Sequence, residues 1–478
     1  MSRRSASLLA LALLAACSSA TGAGGAPVGA SVGAAPTEMC PTGVAATPMP
    51  TPTSPPMAPK PTFPVRADPT GRRLVDADGR PFLLVGDAAW SLIAQLPLDD
   101  VDFYLLARQT AGYNALLVNL LEHKFSSKAP ANIAGDAPFT TPGDFSTPNE
   151  AYFAHAESVL RKAEEQGFVV LLTPAYLGYK GSDQGWSKEM RANGAGTLRA
   201  YGRYVAQRFS SLRNIVWVQG GDADAPQPEL VEAIAAGIAE VQPDALQMVH
   251  TAPESIPLAR WPASAWLRLN AVYTYVDVQA SSLAEHRRST MPFILVESFY
   301  ENEHGLTDRL FRTQAYQALL SGATGQISGN NPVWHFGSGG IFETKQTWQL
   351  SLVSKGAASM STLSTLFAAW PWWELSPERG AEFVTAGATK RNERPVPAVT
   401  CDGRLAVVYV PTTKTITLDL AKMRGTTVAL HWVDATNGDP ATVAEAPSPV
   451  PPAGSLTVVP PPTNADGATD WLLVAEAS

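Results

Sequence analysis

Two carboxylates in this chain are set where they could cut a glycosidic bond. Asp222 closes the run Asn214-Ile-Val-Trp-Val-Gln-Gly-Gly-Asp222 and Glu297 closes Pro292-Phe-Ile-Leu-Val-Glu297, both runs apolar and almost uncharged. Such runs suit parallel strands covered on both faces, and acids at their C-terminal ends lie where barrel enzymes keep their chemistry. A retaining glycosidase needs one protonated carboxyl for the leaving oxygen and one ionised carboxylate to attack the anomeric carbon, about 5 Å apart; an inverting enzyme leaves a wider gap for water. Asp222 suits the acid, because Gly220 and Gly221 would let substrate approach the backbone and apolar neighbours such as Trp217 would raise its pKa. Glu297 suits the nucleophile, with an aromatic hydroxyl such as that of Tyr273 or Tyr275 to hold it. Either acid alone reads equally as a turn or helix cap. Together, on the fourth and seventh strand-like runs, they favour catalysis.

Other residues near strand ends supply a candidate substrate surface. Asp87 and Trp90 follow the first run, as a hydrogen bonder and a sugar-stacking platform, or else as a turn cap and a core residue. Glu122, His123 and Lys124 form a polar triplet after the second run, which reads as a substrate contact or a salt-bridged loop. His250, Asn119, Tyr176, Asn330 and Trp334 complete the set as subsite walls. The chain has no H-E-x-x-H, C-x-x-C, G-x-S-x-G or Walker sequence, and its seven histidines are scattered singly, so neither a metal nor a cofactor is expected.

The elements that must position these groups read as eight strand-like runs: Phe82–Gly86, Ala115–Leu121, Val169–Pro174, Ile215–Gln219, Gln247–Thr251, Leu267–Tyr273, Phe293–Glu297 and Gly325–Ser328. Helical periodicity falls between or after them at Leu98–Gln109, Asn149–Gln166, Thr197–Phe209, Pro228–Glu240, Thr307–Leu320 and Thr347–Leu366. That alternation predicts an α/β fold, a (β/α)8 TIM barrel. A doubly wound sheet would want a Gly-rich turn that Gly86-Asp-Ala-Ala-Trp90 does not supply. The connection from Ala252 to Trp266, with its three prolines, predicts a loop or one short turn. After about Ala381 the pattern becomes short β runs, at Leu405–Val410, Thr415–Leu420, Thr427–Trp432, Leu456–Val459 and Trp471–Val474, which predict a small antiparallel β-sandwich whose acids read as turn formers.

Residues 1–17 read as a lipoprotein signal: Arg3 and Arg4, an apolar stretch, then Leu14-Ala-Ala-Cys17, with Cys17 as the lipidated first residue of the mature chain. Residues 18–62 read as a flexible tether, 63–380 as the barrel and 381–478 as the sandwich domain. The expectation is an exported protein, lipid-anchored to the cell envelope at the outer membrane or in the periplasm, touching membrane through that anchor alone. Export would permit a bridge between Cys40 and Cys401 without requiring one. The net charge of −8 and the lack of Lys/Arg clusters beyond the signal argue against a nucleic-acid partner and suit a neutral or weakly charged polymer such as a carbohydrate.

Four segments carry a family resemblance: Pro81-Phe-Leu-Leu-Val-Gly-Asp-Ala-Ala-Trp-Ser91, Gly220-Gly-Asp222, Val296-Glu297-Ser-Phe-Tyr300, and Gly322-Ala-Thr-Gly325 through Gly329-Asn-Asn-Pro-Val-Trp334. From about Pro64 to Glu378 the chain resembles the apiosidase-like glycoside hydrolases. Arg391 to Ala477, with Val407-Val-Tyr-Val-Pro411 and Asp470-Trp-Leu-Leu-Val474, is similar to a small domain that often follows and has been called collagen-binding. The resemblance implies a retaining enzyme with its acid/base after strand four and its nucleophile ending strand seven, hence Asp222 and Glu297. Much of that clan carries Asn-Glu where this chain has Gly221-Asp222, so a shorter acid must reach the leaving oxygen. The rival readings are a non-catalytic glycan-binding surface lipoprotein, against which both intact carboxylates argue, and a protease, which lacks any signature here.

Overall fold

The computed structural model describes residues 60–69, 71–262 and 264–478. The signal, Cys17, Cys40 and nearly all of the tether lie outside them. Cys401 is disulfide-bonded.

Eight parallel strands form the barrel: β1 (Leu84–Ala88), β2 (Ala115–Asn119), β3 (Val169–Thr173), β4 (Ile215–Gly220), β5 (Gln247–His250), β6 (Asn270–Tyr273), β7 (Phe293–Glu297) and β8 (Gly325–Ser328). Their ladder runs from β5 back through β4, β3, β2 and β1 to β8, β7 and β6. The remaining seam, between β5 and β6, carries a single parallel bridge from Gln247 to Leu267, so the barrel is nearly closed. Every residue of β1, β2, β3 and β7 is buried, as expected of strands walled by a lumen on one side and helices on the other. Alternation divides them: Leu84, Leu117, Leu171, Val218, Met248, Ile294, Val296 and Ile327 fill the lumen, while Val85, Leu116, Val170, Trp217 and Leu295 join the helical layer. This parity decides which side chains can reach the mouth.

Most boundaries lie within a few residues of those expected, and the differences have local causes. The helix Ser187–Arg208 starts ten residues earlier than its periodicity suggested and bends at Gly194. The stretch after Thr347 is broken into Trp348–Ser351 and Lys355–Ala369, because the Ser354 hydroxyl accepts from Ala357 N–H and caps a new helix. Val278–Arg288 is a helix that periodicity did not reveal. The proline-rich connection holds one short turn, Pro257–Arg260. A small antiparallel sheet of Arg66–Ala67, Leu74–Val75 and Pro81–Phe82 inserts Leu74 and Phe82 into the lumen cluster beneath the strands' N-terminal ends.

The C-terminal region is antiparallel β structure. A six-stranded sheet is ordered Leu375–Ser376, Val396–Thr400, Leu405–Val410, Trp471–Ala477, Val428–Asp434 and Pro440–Thr442; a three-stranded sheet holds Val384–Ala386, Ile416–Asp419 and Ser455–Val458. One face of the large sheet, with Val407, Tyr409 and Val474, is continuous with the barrel's outer core; the other, with Val408, Trp432 and Leu473, packs on the small sheet. The Tyr409 ring stacks on Tyr316 of the barrel helix Asp308–Leu319 at 4.8 Å. Asp470, expected to form a turn, is instead fully buried and takes two 2.8 Å hydrogen bonds from Arg312 and one from the Tyr409 hydroxyl.

Candidate active site

Both carboxylates reach the mouth through departures from regular strand geometry. Gly220, Gly221 and Asp222 have φ of 83°, 116° and 55°, a left-handed run that carries the Asp222 side chain over the end of the barrel. That conformation is costly for a residue with a Cβ and is held by its surroundings. The glycines make room for the fold rather than for substrate: a Cβ on Gly221 would lie 2.3 Å from the Tyr176 ring, and one on Gly220 would lie 2.8 Å from the His250 carbonyl oxygen. Trp217 faces outward and donates its indole N–H to Gln242, so it does not wall the acid. The wall is Tyr176, Tyr273 and Trp90. Tyr273 donates to Asp222 Oδ1 at 2.8 Å and Tyr176 to Oδ2 at 3.1 Å.

Glu297 follows Ile294 and Val296, both lumen-facing, so simple alternation would point it outward. A register shift between Leu295 and Glu297 in the β7–β6 ladder turns it to the mouth beside Tyr273, as bulges beside active sites commonly do. Glu297 is 8% exposed. It accepts from Tyr275 at 3.4 Å and from the Tyr300 hydroxyl, and its Oε2 lies 3.3 Å from His250 Nε2.

Burial dominates the electrostatics. It pushes Glu297 up to about 8 against the opposing hydroxyls of Tyr300 and Tyr275. It pushes Asp222 up to about 6, with the Glu297 charge adding to the rise and His250, Tyr273 and Tyr176 opposing it. His250, sealed between Trp90 and Tyr273, falls to about 4 and is a neutral imidazole at pH 7. The contacting hydroxyls of Tyr273 and Tyr275 join the two carboxyls, and with Asp222 pushed to about 6 and Glu297 to about 8 the pair would share one proton near neutrality.

Trp90 lies across the mouth, 5.5 Å from Tyr176 and 5.8 Å from His250 between ring centres, with its N–H on the Tyr300 hydroxyl at 3.1 Å. Trp334 belongs to the same cluster, and Asn119 ends β2 on the lumen side with its buried Oδ1 unpartnered among the described residues. Thus Trp90, Asn119, Tyr176, Asp222, His250, Tyr273, Tyr275, Glu297 and Trp334 come together. Four candidates do not join them. Asp87 faces the helical layer, where its Oδ2 takes bonds of 2.7 Å from both Arg108 and Tyr104. Glu122 organises its own loop, accepting from the backbone N–H of His123, Lys124 and Phe125 and from Ser91. His123 packs edge-on against Trp186 in the helical layer. Asn330 gives its amide to Glu301 at 2.6 Å.

Sequence reasoning assigned no role of their own to two residues of this mouth, Tyr300 and Glu303. Tyr300 hydrogen-bonds both Trp90 and Glu297. Glu303 receives the Trp334 indole N–H at 2.9 Å. Nothing in the local pattern separates Glu303 from Glu301, whose carboxylate caps the helix at Gly356. Among the described residues no group of His, Cys, Asp and Glu is arranged to hold a metal ion. A cavity of about 180 Å³ opens beside Tyr275, lined also by Phe299, His304, Gln314 and Asn392. It adjoins the carboxylate pair without containing it.

Residues 68–374 match the family model described as "Apiosidase-like, catalytic domain", and residues 381–476 match the one described as "Putative collagen-binding domain of a collagenase". A solved structure described as a glycoside hydrolase superposes with a TM-score of 0.74 at 21% identity, covering 87% of this chain and 97% of that one. Another, described as a family 5 glycoside hydrolase from Bacteroides vulgatus, gives 0.73 at 20% identity over 86% and 93%. At such identity these two likenesses speak for the fold. No curated protein matches the chain.

Proposed function

Because the chain belongs to the apiosidase-like family of catalytic domains and is a glycosidase, we propose that it cleaves its carbohydrate by double displacement, with Asp222 as acid/base and Glu297 as nucleophile. The observation that carries this reading is the pair itself, two carboxyls linked through Tyr273 and Tyr275 with neither paired to a lysine or arginine among the described residues. Asp222 is half-buried, at a place where a leaving group can depart and water can enter for the second step. Glu297 lies deeper, ringed by hydroxyl donors that stabilise its ionised form. In the first step Asp222 gives its proton to the glycosidic oxygen while a Glu297 oxygen bonds to the anomeric carbon, and the C–O bond to the leaving group breaks. In the second, Asp222 takes a proton from water, whose oxygen displaces Glu297.

One observation favours the reverse assignment of roles: burial lifts Glu297 higher than Asp222. Kinetics on aryl glycosides separate the two. Under the proposed roles, Asp222→Ala keeps substantial activity on substrates with good leaving groups and is accelerated by azide, while Glu297→Ala is inactive throughout. The opposite pattern would exchange the roles, and a uniform loss in both variants would end the two-carboxylate reading. Export and attachment through a lipid on Cys17 belong to the same proposal and are carried by the sequence of residues 1–17. Cys17→Ala should abolish incorporation of labelled palmitate into the protein.

A further inference from the structure

We propose that Glu303 is a specificity carboxylate of this glycosidase: it accepts a hydrogen bond from a hydroxyl of the sugar unit seated between Glu297 and Trp334, and together with Asp222 and Glu297 it restricts that unit to an uncharged sugar. The inference rests on the glycosidase reading of the mouth and deepens it.

The loop after β7 is built to present this side chain. Asn302 and His304 on either side have φ of 67° and 51°, left-handed conformations that neither adopts without support. Asn302 is fastened to the Asn331 carbonyl at 3.0 Å, and the His304 ring packs on Phe299 and Phe342. Glu303 is thereby held 8% exposed, with one oxygen on the Trp334 indole. Its other oxygen takes no hydrogen bond from the described residues.

Comparison with the other buried acids nearby shows how unusual this is. Glu301 accepts from Asn330, Ser354 and the Gly356 N–H, and Glu122 from three backbone N–H groups and a serine. Those two are fully occupied in holding the fold. Among the described residues Glu303 has one donor and no cation partner, and it is in electrostatic contact with Glu297, Tyr275 and Tyr300. A buried carboxylate so poorly satisfied is costly unless something else donates to it. A sugar hydroxyl can do so, and the bond is strongest while the carboxylate is ionised. The buried Asn119 Oδ1 at the same mouth is a second acceptor awaiting a donor. The lack of neutralisation agrees with the upward push of Glu303 to about 7 by burial. The ionised member of the Asp222–Glu297 pair, and Glu303 where it is ionised, have no lysine or arginine partner among the described residues and would also repel a uronate at this position.

The test uses 4-nitrophenyl glycosides of neutral pentoses and hexoses, their monodeoxy analogues and the matching uronides. Wild type, Glu303→Ala and Glu303→Gln would be compared, with Kd for the free sugars measured calorimetrically in parallel. We expect Glu303→Ala to raise KM and Kd at least tenfold with a smaller change in kcat. Glu303→Gln, whose amide oxygen still accepts from Trp334 while its NH2 can only donate to the hydroxyl oxygen, should recover part of the loss. One monodeoxy substrate should lose as much on wild type as Glu303→Ala loses on the parent sugar, and lose nothing further on the variant. Uronides should react at least a hundredfold more slowly than the neutral sugars. The proposal is overturned if Glu303→Ala binds and turns over within twofold of wild type, if its loss multiplies with that of every deoxy substrate, or if uronides react as well as neutral sugars. Should no glycoside be cleaved while free sugars bind, the glycosidase reading falls and the Kd comparison alone judges Glu303.

Discussion

Replacing Glu297 by glutamine should stabilise the fold at alkaline pH while abolishing catalysis. The folded protein raises this carboxyl from 4.5 to about 8 by burial. A group whose folded pKa is raised contributes stability that is full below its unfolded pKa and lost as pH climbs through the folded value. For Glu297 the window of loss therefore runs from about pH 4.5 to about pH 8. At about 1.4 kcal/mol per unit, the shift is worth a few kcal/mol; entry of water into the mouth on ionisation reduces what is observed to about 2 kcal/mol. Glutamine keeps the shape and acceptor of the protonated acid and cannot ionise. Thermal unfolding of wild type and Glu297→Gln between pH 5 and pH 9 should show no gap at the acid end and a gap of about 4 °C in favour of the variant at the alkaline end. A gap independent of pH, or a variant less stable at pH 9, would refute the claim that Glu297 is buried against its own charge.

The same electrostatics set the pH profile of kcat/KM. Below about 6 both carboxyls are protonated and the nucleophile is lost, and above about 8 both are ionised and the acid is lost, so a bell between those limits is expected whichever residue carries the shared proton. A profile flat from pH 5 to pH 9 would contradict it. Asp87→Ala leaves Arg108 unpaired in the barrel wall and should cost about 3 kcal/mol of stability, with kcat/KM of the folded enzyme at low temperature within twofold of wild type. A selective kinetic loss would instead place Asp87 in substrate binding. Asp470→Ala breaks the buried bidentate pair with Arg312 and should likewise lower the melting temperature of barrel and β region together, by calorimetry, rather than release two separate transitions.

The sequence disclosed the barrel because buried parallel strands are written as apolar runs separated by amphipathic helices, and it singled out the proposed catalytic pair because acids at the ends of such runs stand out. Which neighbours share the mouth depends on parity. Trp217 and Asp87 sit on strands whose lumen positions are Val216, Val218, Leu84 and Ala88, so both turn toward the helices. That much was readable in principle from period two. The position of Glu297 was not, since a register shift reverses its parity and no residue type marks it. Helix Val278–Arg288 was hidden because its buried positions include Gln279, Ser282, Glu285 and His286, which leave little apolar periodicity to detect.

The departures from local rules concentrate where the chemistry is. Asp222 is left-handed, Glu297 breaks strand alternation, and Glu303 stands between two left-handed residues. Each is uphill for the isolated segment, and each is held by the aromatic cluster of Trp90, Tyr176, Tyr273, Tyr300 and Trp334, whose polar tips donate to the three carboxyls or to one another. An apolar body supplies the packing and a single O–H or N–H supplies the fixed donor, so the acids are held in the mouth with no lysine or arginine among the described residues to neutralise them. A lysine or arginine in their place would have pinned the carboxyls in the ionised state and removed the shared proton that acid catalysis requires. Tyr300→Phe isolates this argument. Losing one hydroxyl from Glu297 while keeping the ring should move the alkaline limb of the kcat/KM profile upward, because a donor that lowers the carboxyl's pKa has been removed. A limb that stays in place or moves down would show that the hydroxyl does not act on the ionised carboxylate.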